Sequence, residues 1–273
     1  MKILITGGNG FIASNIVENF NQHELFSIRR QDFDLCDPEA TKVFFKDKKF
    51  DVVIHTAIVG GNRLLEDSKD TIHNNTLMAI NLLNNTKSWK KLIHFGSGAE
   101  LDRSKNIERS INNFYNCVPT DPYGLSKNII CRLFSNYENI YNLRIFNVFA
   151  KNELDRRMII SNVRNYINGD PIIIHQDKAM DFFYIEDLNK ILELYINGEM
   201  LPKEIDCVYK NKVKLSDIAN IINNLSEKKV PIKILAPDMG LSYCGNYNPI
   251  TNALNLKGLE KGITEIYESM KFV

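Results

Sequence analysis

The stretch M-K-I-L-I-T-G-G-N-G-F-I-A, residues 1–13, decides the fold. Lys2–Thr6 is a short apolar run that ends in glycines, the pattern of a strand buried on both faces. Gly7 and Gly10 permit a tight turn, and Phe11 opens a segment with Ile12, Ile16, Val17 and Phe20 at helical spacing. A strand, a glycine turn and a helix in that order make a cradle for a dinucleotide pyrophosphate. The turn lets backbone N–H groups approach the phosphates, and the first helical residues, Phe11 and Ile12, point theirs the same way. Ala13 stands where a third small residue keeps helix and strand close.

Working outward, strands and helices alternate. Strands are expected at 24–28, 51–57 (D-V-V-I-H-T-A), 91–97 (K-L-I-H-F-G-S) and 143–149 (L-R-I-F-N-V-F). Helices are expected at 41–46, 70–86 and 123–137, the second with a stripe of Ile72, Thr76, Ala79, Ile80 and Leu83. This alternation argues for a parallel sheet with helices on both faces and with ligands at the strand C-terminal ends. The glycine loop, Ala57, Ser97 and Asn147 all stand at such ends. Beyond about residue 150 the pattern loosens into helices at 156–168, 188–196 and 215–225 among short strands at 171–175, 181–184, 205–209 and 231–235. The expected organisation is a dinucleotide-binding domain at 1–150 and a smaller mixed substrate lobe at 151–273, with interleaved segments forming one compact unit.

The chain has 273 residues, 44% of them hydrophobic, enough for a sizeable core. Its 34 basic and 33 acidic residues leave a net charge of +1. That balance makes no electrostatic case for nucleic acid or an anionic membrane as partner. No apolar run reaches the about 18 residues of a membrane span, and the apolar part of the opening stretch is too short for a signal peptide. Five cysteines without a C-x-x-C pair fit reduced thiols, so a cytoplasmic protein is expected. Five histidines show no metal-ligand spacing, and His55 and His94 read as packed side chains within strands. No metal site is expected.

After the second strand the sequence runs S-I-R-R-Q-D-F-D-L, 27–35. A site for NAD favours an acidic residue there, whereas Arg29 and Arg30 offer guanidinium groups suited to a 2′-phosphate. The expected cofactor is therefore NADP(H), with Asp34 and Leu35 bordering the adenine. Further on, D-P-Y-G-L-S-K at 121–127 places Tyr123 and Lys127 one turn apart on a helix that Pro122 can start. A phenol with a free pKa of roughly 10 is a poor acid–base group at neutral pH, and an ammonium one turn away favours its ionised form. Ser97, at a strand end 26 positions earlier, offers a second donor to a substrate oxygen. The plain structural alternatives are a helix cap for Ser97 and a half-buried core aromatic for Tyr123.

Taken together, T-G-G-N-G-F-I-A (6–13), H-T-A (55–57), G-S (96–97), Y-G-L-S-K (123–127) and D-F-F-Y-I-E-D-L (181–188) resemble the extended short-chain dehydrogenase/reductase family of nucleotide-sugar enzymes. R-R-Q-D-F-D-L-C-D (29–37), A-I-V-G-G-N (57–62) and C-V-P-T-D-P-Y (117–123) are most similar to its GDP-L-fucose synthase-like branch. The resemblance implies a doubly wound sheet of the Rossmann type and a nucleotide-sugar substrate. It implies that Tyr123 protonates a sugar carbonyl, Ser97 bonds the same oxygen, and Lys127 binds the nicotinamide ribose. It also implies a homodimer formed through the tyrosine helix and the helix near 70–86.

Three departures from the family pattern narrow the reaction. Gly98-Ala99 replace the Asp-Glu pair of dehydratases, and Ala99 replaces the epimerising cysteine of the GDP-L-fucose synthase-like branch. That branch's histidine falls near Arg157. Met180 stands where an arginine holds the nucleotide diphosphate, leaving Arg157 or Lys178 as substitutes. The expectation is reduction of a 4-keto-6-deoxysugar without C3/C5 epimerisation. Beside it stand a C4-epimerase with bound NAD, a C3/C5 epimerase/reductase, and a non-catalytic NADP-binding sensor.

Overall fold

The structure is a computed structural model that describes residues 1–61, 66–107 and 111–271, with backbone only at 111–113. In chain order the first elements are β1 (Lys2–Thr6), α1 (Phe11–Asn19), β2 (Glu24–Ile28), α2 (Pro38–Phe45), β3 (Phe50–His55), α3 (Thr71–Leu83), β4 (Trp89–Ser97), α4 (Ile111–Asn116), α5 (Pro122–Phe134) and β5 (Ile140–Ile145). The later ones are β6 (Val148–Phe149), α6 (Met158–Asn168), β7 (Ile172–Gln176), β8 (Phe183–Tyr184), α7 (Ile185–Asn197), β9 (Glu204–Cys207), α8 (Leu215–Asn223), β10 (Ile232–Ala236) and α9 (Leu259–Met270).

Six strands form one sheet in the order β2-β1-β3-β4-β5-β9. β1 pairs in parallel with both β2 and β3, and β3 in parallel with β4. The chain therefore reverses its direction of growth at β1, which opens a crevice between the C-terminal ends of β1 and β3. Ile3, Leu4 and Ile5 are fully buried at the centre. One apolar core joins Leu4 and Val53 to Phe45, Leu82, Trp89 and Phe134. This is the doubly wound sheet expected.

The chain divides into two compact units. The first holds Met1–Ser104, a stretch ending at Arg144, and Leu192–Ile205; the second holds Ile145–Ile191 and the residues from Asp206 on. The returning segment is tied into the first unit by polar bonds. Lys91 Nζ donates to the carbonyls of Tyr195 (2.8 Å), Ile196 (3.2 Å) and Gly198 (2.8 Å). The second unit has two parallel two-stranded sheets, β10–β7 and β6–β8, with α6 and α8 against the first and α9 packed on those two helices and on β8.

Several elements differ from the sequence reading for identifiable reasons. L-R-I-F-N-V-F is not one strand: after Ile145 the chain leaves the sheet, and Asn147 accepts the N–H of Phe183 (2.8 Å) to begin the β6–β8 pair. α2 begins at Pro38, earlier than 41, because Asp37 caps it by accepting from the N–H groups of Glu39 and Ala40. In α3 the buried face is Asn75, Met78, Ala79 and Leu82, and Ile80 is exposed. Two hydrogen-bonded asparagines turn that helix: Asn75 Nδ2 donates to Val59 O (2.9 Å) and Asn81 Nδ2 to Leu35 O (2.9 Å). Val17 likewise faces outward from α1. The reading passed over α9, although Ile263, Ile266 and Tyr267 are buried at helical spacing.

Candidate functional site

The glycine loop has the geometry that the motif requires. Gly7 sits at φ +75°, and a Cβ there would fall 2.8 Å from Ala57 Cα and N, so conformation and space both exclude a side chain. Gly10 N–H donates to Gly7 O (2.8 Å), closing the turn, and Gly8 N–H donates to Ile28 O (2.8 Å). Gly10 is the N-cap of α1 and supplies no side-chain acceptor. The N–H groups of Phe11 and Ile12 therefore stand at a helix end built for an anion. Ala13 is fully buried, in keeping with close packing of α1 on the sheet.

Beside this loop lies a cavity of ≈ 180 Å³ lined by Gly7, Arg29, Arg30, Asp34, Leu35 and Ala57, among others. Both arginines reach it already paired. Arg29 makes a two-pronged bond to Asp32 (Nε 3.1 Å, Nη2 3.0 Å), and Arg30 meets Asp34 at 3.2 Å. Asp34 also accepts the N–H of Cys36, which with Arg30 holds its carboxyl below the usual carboxylate range. Leu35 is buried, and its carbonyl anchors Asn81. An uncapped helix end, a glycine loop without room for Cβ, and two guanidiniums in one cavity fit a phosphorylated dinucleotide.

α5 carries the tyrosine–lysine pair. Asp121 caps it by accepting Gly124 N–H (2.8 Å), and Pro122 fills its first turn. Tyr123 is half-buried with Arg103 Cζ 6.0 Å from its ring centre; Arg103 also pairs with Asp121 at 2.6 Å. Lys127 is buried, its ammonium donating to Phe95 O at 2.6 Å. Burial pushes Lys127 down to about 8, against the pull of the Glu100 carboxylate. His55 and His94, stacked at 5.3 Å, share this interior; burial, and secondarily Lys127, hold both neutral.

Ser97 is both a cap and a candidate donor. Its Oγ accepts Ala99 N–H (3.1 Å), capping a short 3-10 turn at Gly98–Glu100. A hydroxyl has one donor and two acceptor positions, so this cap leaves O–H free to be given elsewhere. Ala99 is fully buried and offers nothing ionisable. The carboxylate that follows, Glu100, is wholly buried and bound to Arg144 (2.7 Å).

The residues expected to hold substrate lie in the second unit. Asn147 is buried and spends its amide on Asp181 O (2.8 Å), tying β6 to the segment before β8. Arg157 precedes α6 and donates from Nε to Glu153 (2.7 Å), whose carboxyl burial pushes up to about 7. Lys178 is half-buried, and its carbonyl accepts Leu215 N–H (3.0 Å). Met180 is buried and bridges Tyr243 through its backbone. Asn62, the end of A-I-V-G-G-N, lies outside the described residues.

The sequence reading missed Glu100, Asn75 and Asp32. Glu100 had a visible signal, since Ser97-x-x-Glu100 is a capping box and both of its bonds form. Asn75 had none: its partners are the Val59 backbone and Ser126 Oγ (2.9 Å), remote in sequence.

The profile of the NAD dependent epimerase/dehydratase family matches residues 3–203, and the chain belongs to that family. It is 24% identical to a dTDP-D-glucose 4,6-dehydratase of Dictyostelium discoideum over 82% of this chain, and spans 62% of that protein's length. A GDP-mannoheptose C4 reductase of Campylobacter jejuni, solved with NADP bound, superposes with TM-score 0.82 at 17% identity, covering 99% of this chain and 98% of that one. A UDP-glucose 4-epimerase of Thermotoga maritima superposes with TM-score 0.80 at 17% identity, covering 100% and 99%. One fold thus serves a dehydratase, a reductase and an epimerase, and the reaction must be argued from the site.

Proposed function

We propose that this chain is an NADPH-dependent reductase of the 4-keto group of a nucleotide-linked 4-keto-6-deoxysugar. GDP is the favoured nucleotide, with CDP or dTDP as alternatives, and C3 and C5 are not epimerised. The observation that carries this reading is the buried methyl group of Ala99 beside Ser97, followed by a carboxylate already committed to Arg144. Elimination and C3/C5 epimerisation both need a side chain that takes a proton from carbon, and these positions supply none. Ketone reduction needs only donors at the carbonyl oxygen. A bound NADPH supplies the hydride. Tyr123 gives its proton to the oxygen as charge develops there, Ser97 donates to the same atom, and Lys127 stabilises the phenolate left behind. Arg29 and Arg30 hold the 2′-phosphate, and the glycine loop with the first N–H groups of α1 holds the pyrophosphate. Asn147, Arg157 and Lys178 are assigned to the nucleotide-sugar, and the protein to a cytoplasmic homodimer.

The test is NADPH consumption with GDP-, CDP- and dTDP-4-keto-6-deoxysugars. Turnover with at least one, with product protons at C3 and C5 unexchanged in deuterated water, is the expected result. Absence of turnover with all three, or deuterium at C5, overturns the reading. A second reading, a C4-epimerase that retains NAD, draws on Asp32 and Asp34, which offer carboxylates in the same region as the arginines. Stoichiometric NAD(H) released from the purified protein on denaturation would favour it.

A further inference from the structure

Glu100 is the most deeply buried carboxylate around the candidate site, and the proposed chemistry assigns it no contact with substrate. Its side chain is a junction. Oε1 accepts the backbone N–H of Ser97 (2.9 Å), and Oε2 accepts Arg144 Nε (2.7 Å) and Asn142 Nδ2 (3.2 Å). Its carbonyl accepts Asn128 Nδ2 (2.9 Å), one residue beyond Lys127 on α5. The space is made by Gly96, where a Cβ would fall 2.2 Å from Glu100 Oε1 and 2.2 Å from Asn142 Oδ1. A single residue thus joins the end of β4 and strand β5 through its side chain, and helix α5 through its carbonyl.

The charges around it are arranged in kind. Arg144 also binds Glu204, so Glu100 shares this guanidinium with a second carboxylate. Lys127 is a further buried cation within reach of the Glu100 charge. A buried ammonium without a counter-charge is driven toward its neutral form. Among the described residues, the other titratable groups facing Lys127 are His55 from β3, His94 from β4 and Cys131 from its own helix, which also carries Tyr123 one turn earlier. Burial keeps both imidazoles and the Cys131 thiol neutral.

We propose that Glu100 is the positioning residue of the Ser97–Tyr123–Lys127 site: it fixes Ser97 through the serine's backbone and supplies the buried anion that keeps Lys127 an ammonium. The claim that this serves catalysis rests on the reductase reading above; the charge relationship itself does not. Lys127 has been lowered by burial to about 8, and Glu100 works in the opposite direction. Removing the Glu100 charge therefore moves Lys127 further down, toward neutrality at physiological pH.

The experiment is Glu100→Gln, which keeps an acceptor for Ser97 N–H and removes the charge. The Lys127 midpoint is read by NMR of the protein labelled at lysine Cε, the signal being assigned by its loss in Lys127→Arg. A midpoint lower by one pH unit or more than in the unsubstituted protein is expected, with the alkaline fall of kcat moving by the same amount and KM for the sugar little changed. Should the single variant fold poorly, Glu100→Asp serves instead: it keeps the charge and shortens the side chain, so the Lys127 midpoint should stay where it is while kcat falls as Ser97 N–H loses its acceptor. An unmoved midpoint in Glu100→Gln, or a midpoint lowered by one pH unit or more in Glu100→Asp, overturns the proposal. The titration needs no substrate. Failure of the unsubstituted protein to reduce any keto sugar overturns the reductase reading, while the Lys127 midpoint still decides the role of Glu100.

Discussion

Gly61 and the ring of Tyr123 lie so close that no side chain fits between them. A Cβ built on Gly61 would fall 2.6 Å from Tyr123 Cε2 and 2.9 Å from Cζ, and Gly61 holds φ at +76°. The loop after β3 therefore packs against the candidate proton donor through bare backbone. Gly61→Ala should displace the phenol and strain the loop. The expected result is a fall in kcat of about 10-fold or more, with NADPH affinity unchanged and a loss of about 1–3 kcal/mol in stability. Steady-state kinetics beside cofactor titration and thermal melts would check it; an unaltered kcat would remove Tyr123 from the chemistry.

Tyr123→Phe deletes the proton donor and keeps the ring. General acid catalysis contributes about 10²- to 10⁴-fold, so kcat should fall by that range while NADPH still binds. Near-normal turnover would return Tyr123 to the status of a core aromatic.

For the cofactor, Arg29→Ala is expected to raise KM for NADPH by about 10-fold or more and to leave KM for NADH nearly unchanged. Asp32 would lose its partner in the same variant, adding an uncompensated negative charge near the 2′-phosphate. Equal effects on both cofactors would show that Arg29 only braces its own turn.

Gly7→Ala must place a methyl group against the Ala57 backbone in a left-handed conformation. A stability loss of about 1–3 kcal/mol for the strain alone is expected, together with weakened binding of NADPH. Chemical denaturation and fluorescence titration of the same sample separate the two effects. A protein of unchanged stability would mean that the loop relaxes without cost.

Stability should decline on mild acidification. His55 is neutral when folded, with its pKa pushed down by burial to about 3, and in the unfolded chain it takes up a proton near 6.5. The unfolded state therefore binds more protons between those values. Stability is fully present above about 6.5 and is lost as pH falls, at up to about 1.4 kcal/mol per pH unit per histidine. Buried His94, shifted in the same direction, adds to it. His94→Leu should flatten the fall in Tm between pH 6.5 and 5; an unchanged slope would place the acid sensitivity elsewhere.

The features legible in the sequence were those set by short spacing. The strand–glycine–helix run, the capped α5 with Tyr123 and Lys127, and the arginines after β2 all depend on neighbours within a few residues. What escaped depends on contacts that span the fold. Asn75 holds Val59 N–H (2.8 Å) and reaches Ser126 on α5, which is why α3 turns a polar face inward. Met180 occupies its position as a packed side chain, which no local pattern announces. Glu100 lay between the two cases: its box with Ser97 was readable, but its bond to Arg144 was not.

The return of Leu192–Ile205 to the first unit has a consequence for how the molecule is made. During synthesis the glycine loop and its sheet emerge early, yet Lys91 waits for carbonyl partners more than a hundred residues later, at Tyr195, Ile196 and Gly198, and strand β5 waits for Lys203, whose carbonyl takes Asn142 N–H. A ribosome stalled before that point holds a sheet with an open edge, the state most prone to pair with another nascent chain. Completion of the first unit is thus timed by translation of Ile145–Ile191, which comes between its segments.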